Sequence, residues 1–341
     1  LTDGSYGKPP LGLRLAVLAG VVFVLVGLPF AGLLWMTAVP GHSWSGPLQP
    51  LGAGETALAA RLRADVEAIA AEPHNVAHPQ ALERSARYLE ARLAGLDYPV
   101  VSQRFQAGGA GVRNLEALVE PARSDAPTLV IGAHYDSVGG APGANDNATG
   151  AAALVELARG LAPLRGRSRL RLRLLLFVNE EPPFFKTGSM GSLVYARALR
   201  RTGEHVEGMI ALETLGFYSD AAGSQHYPPP LGAFYPDKGD FVAFVGTLGS
   251  RSWVRHVVRD FRATARFPSE GGTAPAFLQG IDWSDHWSFG KVGVPALMVT
   301  DTAPFRYPFY HTRADTPDKV DYGRLARVTA GLERMIWGWA A

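Results

Sequence analysis

Three side chains able to bind a metal, His134, Asp136 and Asp146, lie in one short stretch of a 341-residue chain. An apolar run, Thr128-Leu-Val-Ile-Gly-Ala133, leads into them, and a helical pattern from Ala148 follows. The loop between is rich in Gly and Pro. An imidazole with two carboxylates suits a zinc-like ion better than calcium or magnesium, which prefer oxygen alone. Released where a buried strand ends, such residues are well placed for a site in an α/β sheet. The competing reading is a solvated loop whose His and Asp cap turns.

Other apolar runs end in the same chemistry. Leu170–Val178 is followed by Asn179-Glu-Glu181, Gly208–Leu212 ends in Glu213, and the segment after Val294–Val299 reaches His311. If these runs are parallel neighbours, their carboxyl ends share one edge and the residues converge there. Two more histidines, His74 and His78, are four apart but flanked by prolines and lack the Glu of zinc-protease helices, so they read as loop. His42, His205, His226 and His256 lie off the strand ends and take no role. A serine hydrolase is not indicated, since no Gly-x-Ser-x-Gly elbow follows a strand.

The elements that must position these side chains alternate. Strands are expected at 114–120, 128–133, 170–178, 208–213, 240–245 and 293–300. Helices are expected at 55–71, 79–95, 148–162, 189–201, 252–264 and 322–337. Alternation of this kind means a largely parallel mixed sheet with helices on both faces. Leu174-Leu-Leu-Phe-Val178, apolar without a break, reads as a central strand buried on both sides. The expected fold is a three-layer α/β/α domain over 55–341, preceded by one transmembrane helix.

Composition narrows the rest. With 33 basic and 31 acidic residues, nothing points to a nucleic-acid surface. There is no cysteine, which excludes disulfides, zinc-thiolate sites and a thiol nucleophile. Leu15–Val39 is 25 residues without a charge, long enough to cross a bilayer core of ~30 Å. It is longer than the ~7–15 apolar residues of a cleaved signal peptide. Lys8 and Arg14 precede it, which predicts a cytoplasmic tail over 1–14, a signal anchor over 15–39 and a linker over 40–54. The catalytic part would then be a single-pass, cell-membrane-anchored domain outside the cytoplasm.

His134-Tyr-Asp-Ser137, Gly143-Ala-Asn-Asp-Asn-Ala-Thr-Gly150, Asn179-Glu-Glu181, Ser284-Asp-His286 and His311-Thr with Asp315-Thr316 occur in an order that resembles one zinc aminopeptidase family. That family contains secreted bacterial aminopeptidases, glutamate carboxypeptidases and glutaminyl cyclases. The resemblance implies two zinc ions, other divalent metals being possible. Asp146 would bridge them, with Glu181 and His311 completing one site and His134 and Glu213 the other. It also implies Glu180 as general base and Asp136 as the carboxylate that orients His134. A cis peptide is implied at Asp146-Asn147. Glu213 stands where the family more often has Asp, and Pro-Pro-Phe-Phe185 replaces a Gly-rich turn. Tyr218, Tyr307 and Tyr310 are all open candidates for steadying an oxyanion. For Ser284-Asp-His286 two readings stand, a support for His311 or a helix N-cap.

Three functions follow from that resemblance. The leading one is a membrane-anchored aminopeptidase acting on peptides. The others are a single-zinc glutaminyl-cyclase-like acyltransferase and a metal-free interaction domain of the same fold.

Overall fold

A computed structural model describes residues 10–341, and the chain forms two compact units that divide between Ala38 and Val39. The first holds an apolar helix, Leu11–Thr37, with a mean hydropathy of 2.6. Its 27 residues extend about 40 Å, enough for a membrane span and equally for a signal sequence. A π-turn at Phe23–Gly27 lies just ahead of Pro29, whose ring would clash with the carbonyl one turn back. The helix therefore starts before, and stops short of, the expected 15–39. Lys8 and most of the expected tail lie outside the described residues.

In the second unit eight strands form one sheet in the order β1-β2-β4-β3-β5-β8-β6-β7. They are β1 Val101–Ala107, β2 Ala110–Val119, β3 Thr128–His134, β4 Arg171–Phe177, β5 Val206–Glu213, β6 Val242–Thr247, β7 Ser269–Ala274 and β8 Ala296–Thr300. The centre, β4-β3-β5-β8, is parallel, while β2 and β6 run against their inner neighbours, β4 and β8. The sheet is mixed, with helices on both sides, as the sequence pattern implies.

Alternation along the strands feeds two cores. Leu129, Ile131, Leu172, Leu174, Ile210 and Leu212 face helices Ala53–Ile69, Thr149–Leu161, Arg251–Thr264 and Tyr322–Ala340. Val130, Leu175, Phe177, Met209 and Met298 face helices Gly191–Thr202 and His286–Lys291. Burial on both faces explains the unbroken apolar runs of the central strands.

Both outer strands, β1 and β7, depart from the expected pattern. Their sequences, Val-Ser-Gln-Arg-Phe-Gln-Ala and Ser-Glu-Gly-Gly-Thr-Ala, are too polar to read as strands, and an edge tolerates such residues. The signal that could have found β1 is Gly108-Gly109, whose φ values of 58° and 81° make a two-residue hairpin with β2. Nor is 40–54 a free linker. Val39 and Leu48 pack on the core, Arg262 donates to the carbonyls of Pro40 and Gly41, and Ser43 accepts from the Ser269 amide at 2.8 Å. Helix Ala53–Ile69 then begins within its last residues.

Candidate metal centre

Because β4, β3, β5 and β8 are parallel neighbours, their carboxyl ends meet on one edge. His134 closes β3, Glu213 closes β5, and Glu180-Glu181 follow β4. Asp146 arrives on the loop after β3, and His311 on the loop after β8. Asn179, Thr214, Thr302 and His311 in these loops have φ near +46° to +61°, a region L-residues seldom adopt and one that clusters at functional sites.

Two triads result, each with ligand atoms close enough to hold one ion: His134, Asp146 and Glu213, and Asp146, Glu181 and His311. They share Asp146, and its two oxygens divide between them. Oδ1 is 3.4 Å from His134 Nε2, and Oδ2 is 3.1 Å from His311 Nε2. Glu213 Oε2 lies 3.3 Å from His134 Nε2, and Glu181 Oε2 lies 3.5 Å from His311 Nε2. Glu180 belongs to neither triad, with its Oε2 3.9 Å from His134 Nε2. No other such group occurs among the described residues. His74 is buried in a loop, its Nδ1 2.9 Å from the Glu72 carbonyl, and His78 is exposed.

The donor set fits a zinc-like ion. Nitrogen and carboxylate oxygen are both among its ligands, and His134 Nε2 and Glu181 Oε1 are buried with no hydrogen-bond partner among the described residues. Burial, with neighbouring carboxylates adding to it, pushes Glu180 and Glu181 well above the usual carboxyl range and Glu213 upward. Burial would also raise Asp146, yet His134 and His311 hold it below its ordinary value. Burial opposes a charge on His134, but Glu213 and Glu180 outweigh it and drive that imidazole upward. A divalent cation would neutralise this crowd of buried acids.

Asp136 faces His134 twice and does a second task as well. His134 Nδ1 meets the backbone carbonyl of Asp136 at 3.1 Å and its carboxylate Oδ1 at 3.7 Å. That carboxylate also accepts from the amides of Glu180 and Glu181, at 3.1 and 3.2 Å. Asp136 thus ties the ends of β3 and β4 together beside the imidazole.

The loop carrying Asp146 is fastened by residues on either side of it. Asp315 accepts from the amides of Asn145 and Asp146, at 2.8 and 3.1 Å, and from the Tyr307 hydroxyl at 2.8 Å. Asn147 donates to the Leu212 carbonyl and accepts from the Thr214 amide, which joins the loop to the end of β5. Gly143, at φ 73°, is required here, because a Cβ would come within 2.7 Å of the Asp146 carbonyl. The Asp146-Asn147 peptide is cis, as the resemblance implies.

Neither expectation for Ser284-Asp-His286 holds. Ser284 Oγ donates to Glu213 Oε2 at 2.7 Å, so it steadies the longer side chain at that position and not His311. Asp285 precedes helix His286–Lys291 but makes no capping bond, and burial pushes its carboxyl up to about 7. His286 faces the Ile281 carbonyl at 2.8 Å, and burial lowers it to about 4. The three tyrosines also separate. Tyr307 is engaged by Asp315, and Tyr218 is buried near Asp301 and Arg306. Tyr310 stacks on His311 at 3.8 Å, and after burial the charges of Asp146, Glu181, Glu213 and Glu180 raise its pKa. After Glu181, Phe184 packs against Gly108 of the β1–β2 turn, which ties the Pro-Pro-Phe-Phe run to that hairpin.

The model described as Peptidase family M28 matches residues 114–336, and the chain belongs to that family. It is 39% identical over 268 residues to the uncharacterized protein YfbL of Escherichia coli strain K12, covering 75% of this chain and 80% of that one. A probable leucine aminopeptidase 1 of Trichophyton verrucosum is 26% identical over 215 residues, 58% of this chain and 50% of the relative, so the chain spans half of that protein. The fold is shared with an aminopeptidase from Aneurinibacillus sp. strain AM-1, at TM-score 0.61 and 18% identity over 83% of this chain and 94% of that one. It is also shared with the glutaminyl cyclase of Fimbriiglobus ruber, at TM-score 0.60 and 21% identity over 88% and 99%.

Proposed function

We propose that this protein is a zinc aminopeptidase, tethered to a membrane, that hydrolyses the first peptide bond of its substrates. The observation that carries this reading is the pair of triads sharing Asp146, with Glu180 outside both and 3.9 Å from His134 Nε2. Zinc ions held by His134, Asp146 and Glu213 and by Asp146, Glu181 and His311 would supply Lewis acidity to a water and to the scissile carbonyl. Glu180 takes the proton from that water and delivers it to the leaving amine, a task favoured by the raised pKa that burial gives it. Asp136 keeps Glu180 and Glu181 in register by holding both amides. Tyr310 donates its hydroxyl to the oxygen on which negative charge develops.

Both triads are complete, which favours hydrolysis over cyclisation, because closing an N-terminal Gln on its own amine requires no activated water. Mass spectrometry of a Leu-initiated and a Gln-initiated peptide separates the two. Loss of the whole first residue, abolished by a chelator and restored by zinc, is the expected result. Loss of ammonia alone from the Gln peptide, with the Leu peptide untouched, would replace the reading with a cyclase.

The tether is the helix Leu11–Thr37, and the charges of Lys8 ahead of it and Arg14 in its first turn support a domain outside the cytoplasm. A reporter active only outside the cytoplasm, fused after Ala341, should be active in cells. Activity of a strictly cytoplasmic reporter at the same point would reverse this orientation.

A further inference from the structure

The chain that follows helix Leu11–Thr37 is fastened to the domain at once. Three and four residues past Thr37, the carbonyls of Pro40 and Gly41 accept from Arg262 at 3.2 and 2.9 Å. Ser43 then accepts from the Ser269 amide, and Leu48 packs on the core. The segment so pinned lines a cavity of about 1080 Å³, counting its open mouth. Trp44 and Leu48 belong to that segment, and Phe267, Arg266, Arg327 and Arg334 line the space with them. Trp44 lies seven residues past Thr37. Seven residues reach at most ~25 Å, so a bilayer crossed by the helix has its headgroups within range of the cavity.

Charge in the lining is one-sided. Three guanidinium groups meet one carboxylate, that of Glu55. Glu55 is committed, since Oε2 accepts from the Gly52 amide at 3.1 Å and Oε1 lies 3.9 Å from Arg327. Arg327 also donates to the Gln49 carbonyl. Arg266 and Arg334 are exposed, and neither forms a salt bridge among the described residues. Arg334 spends its Nε on the Thr264 carbonyl at 3.1 Å and keeps its other N–H groups, while Glu333 beside it turns against Gly160. Arg266 stands 5.8 Å from the centre of the Trp44 ring. Trp44 Nε1 is buried with no hydrogen-bond partner among the described residues. Donors in excess of acceptors suit an anion with several oxygens, and the guanidinium fork matches phosphate. A bare phosphate would leave Leu48 and Phe267 without contacts, whereas a lipid's glycerol and upper acyl carbons would cover them. Trp is also the ring that settles at a bilayer surface.

We propose that this cavity binds the phosphate headgroup of an anionic phospholipid and so holds the domain against the membrane. This rests on reading Leu11–Thr37 as a tether and adds a ligand to that reading. The test is native mass spectrometry of the full chain, released from detergent micelles that carry phosphatidylglycerol and phosphatidylcholine in equal amounts. One phosphatidylglycerol should be retained at least about tenfold more tightly than phosphatidylcholine, the scale of one charge-assisted hydrogen bond. Arg266→Gln together with Arg334→Gln should abolish that preference, and Arg266→Gln alone should weaken it severalfold. The single variant, at an exposed position, decides the matter if the double one does not fold. No preference in the wild type, or a wild-type preference in either folded variant, would overturn the cavity's role while leaving the tether intact. Inorganic phosphate bound as tightly as the lipid would make this a free-anion site and overturn the lipid assignment. Flotation of the full chain with phosphatidylcholine vesicles tests the tether itself. A chain that does not float with them would sink the tether reading, and this proposal with it.

Discussion

Asp146→Asn should release both metal ions together and lower turnover by about 10⁴-fold or more, since it removes the Lewis acids on which the chemistry depends. Each oxygen of Asp146 faces a different histidine, so the amide deprives one triad of its third ligand and leaves the other only a neutral carbonyl oxygen. An amide is isosteric, and the bonds that fasten this loop run through the main-chain amides of Asn145 and Asp146 and the side chain of Asn147, so the loss would report ligation and not a collapsed loop. Glu213→Ala provides the contrast. It leaves Asp146, Glu181 and His311 in place and should empty one site only. Metal analysis of the dialysed proteins reads both outcomes, and full occupancy in Asp146→Asn would end the bridging assignment.

Glu180→Gln is expected to lower kcat by about 10²- to 10⁴-fold, the range for loss of a general base, while metal content and KM stay close to wild type. Glu180 lies outside both triads, so its amide analogue removes no ligand. What it removes is a buried carboxylate, 3.9 Å from His134 Nε2, able to accept and release a proton. Single-turnover rates on the metal-loaded variant check this. Turnover within a few-fold of wild type would assign the base elsewhere.

The side chains proposed as ligands were legible because strand ends announce them. A run such as Leu174–Val178 reads as a doubly buried strand, and the polar residues that follow it emerge at the sheet edge. What supports them was not legible. Asp315 grips the Asp146 loop from 169 residues away, and Asp136 holds amides 44 and 45 residues off. Bonds to main-chain amides leave no preference for the residue type at the far end. Ser284 was visible as a motif, but its partner, Glu213, is set by how β5 lies beside the loop after β7. Choosing Tyr310 over Tyr218 and Tyr307 needed the stacking on His311, which sequence spacing does not encode. Edge strands β1 and β7 escaped for the opposite reason. β1 is largely unburied, and the buried positions of β7 are filled by the small residues Ser269, Gly271 and Thr273, so neither shows an apolar alternation. The segment from Val39 to Pro50 has no periodicity either, yet a few anchors, Arg262 foremost, dock it to the domain.

The central claim is that this pocket holds two metal ions on one shared carboxylate. Anomalous scattering at the zinc edge from crystals of the zinc-loaded protein tests it most directly. Two peaks should appear about 3.5–4 Å apart, one on each side of the Asp146 carboxylate. A single peak, or none within reach of Asp146, would contradict the claim.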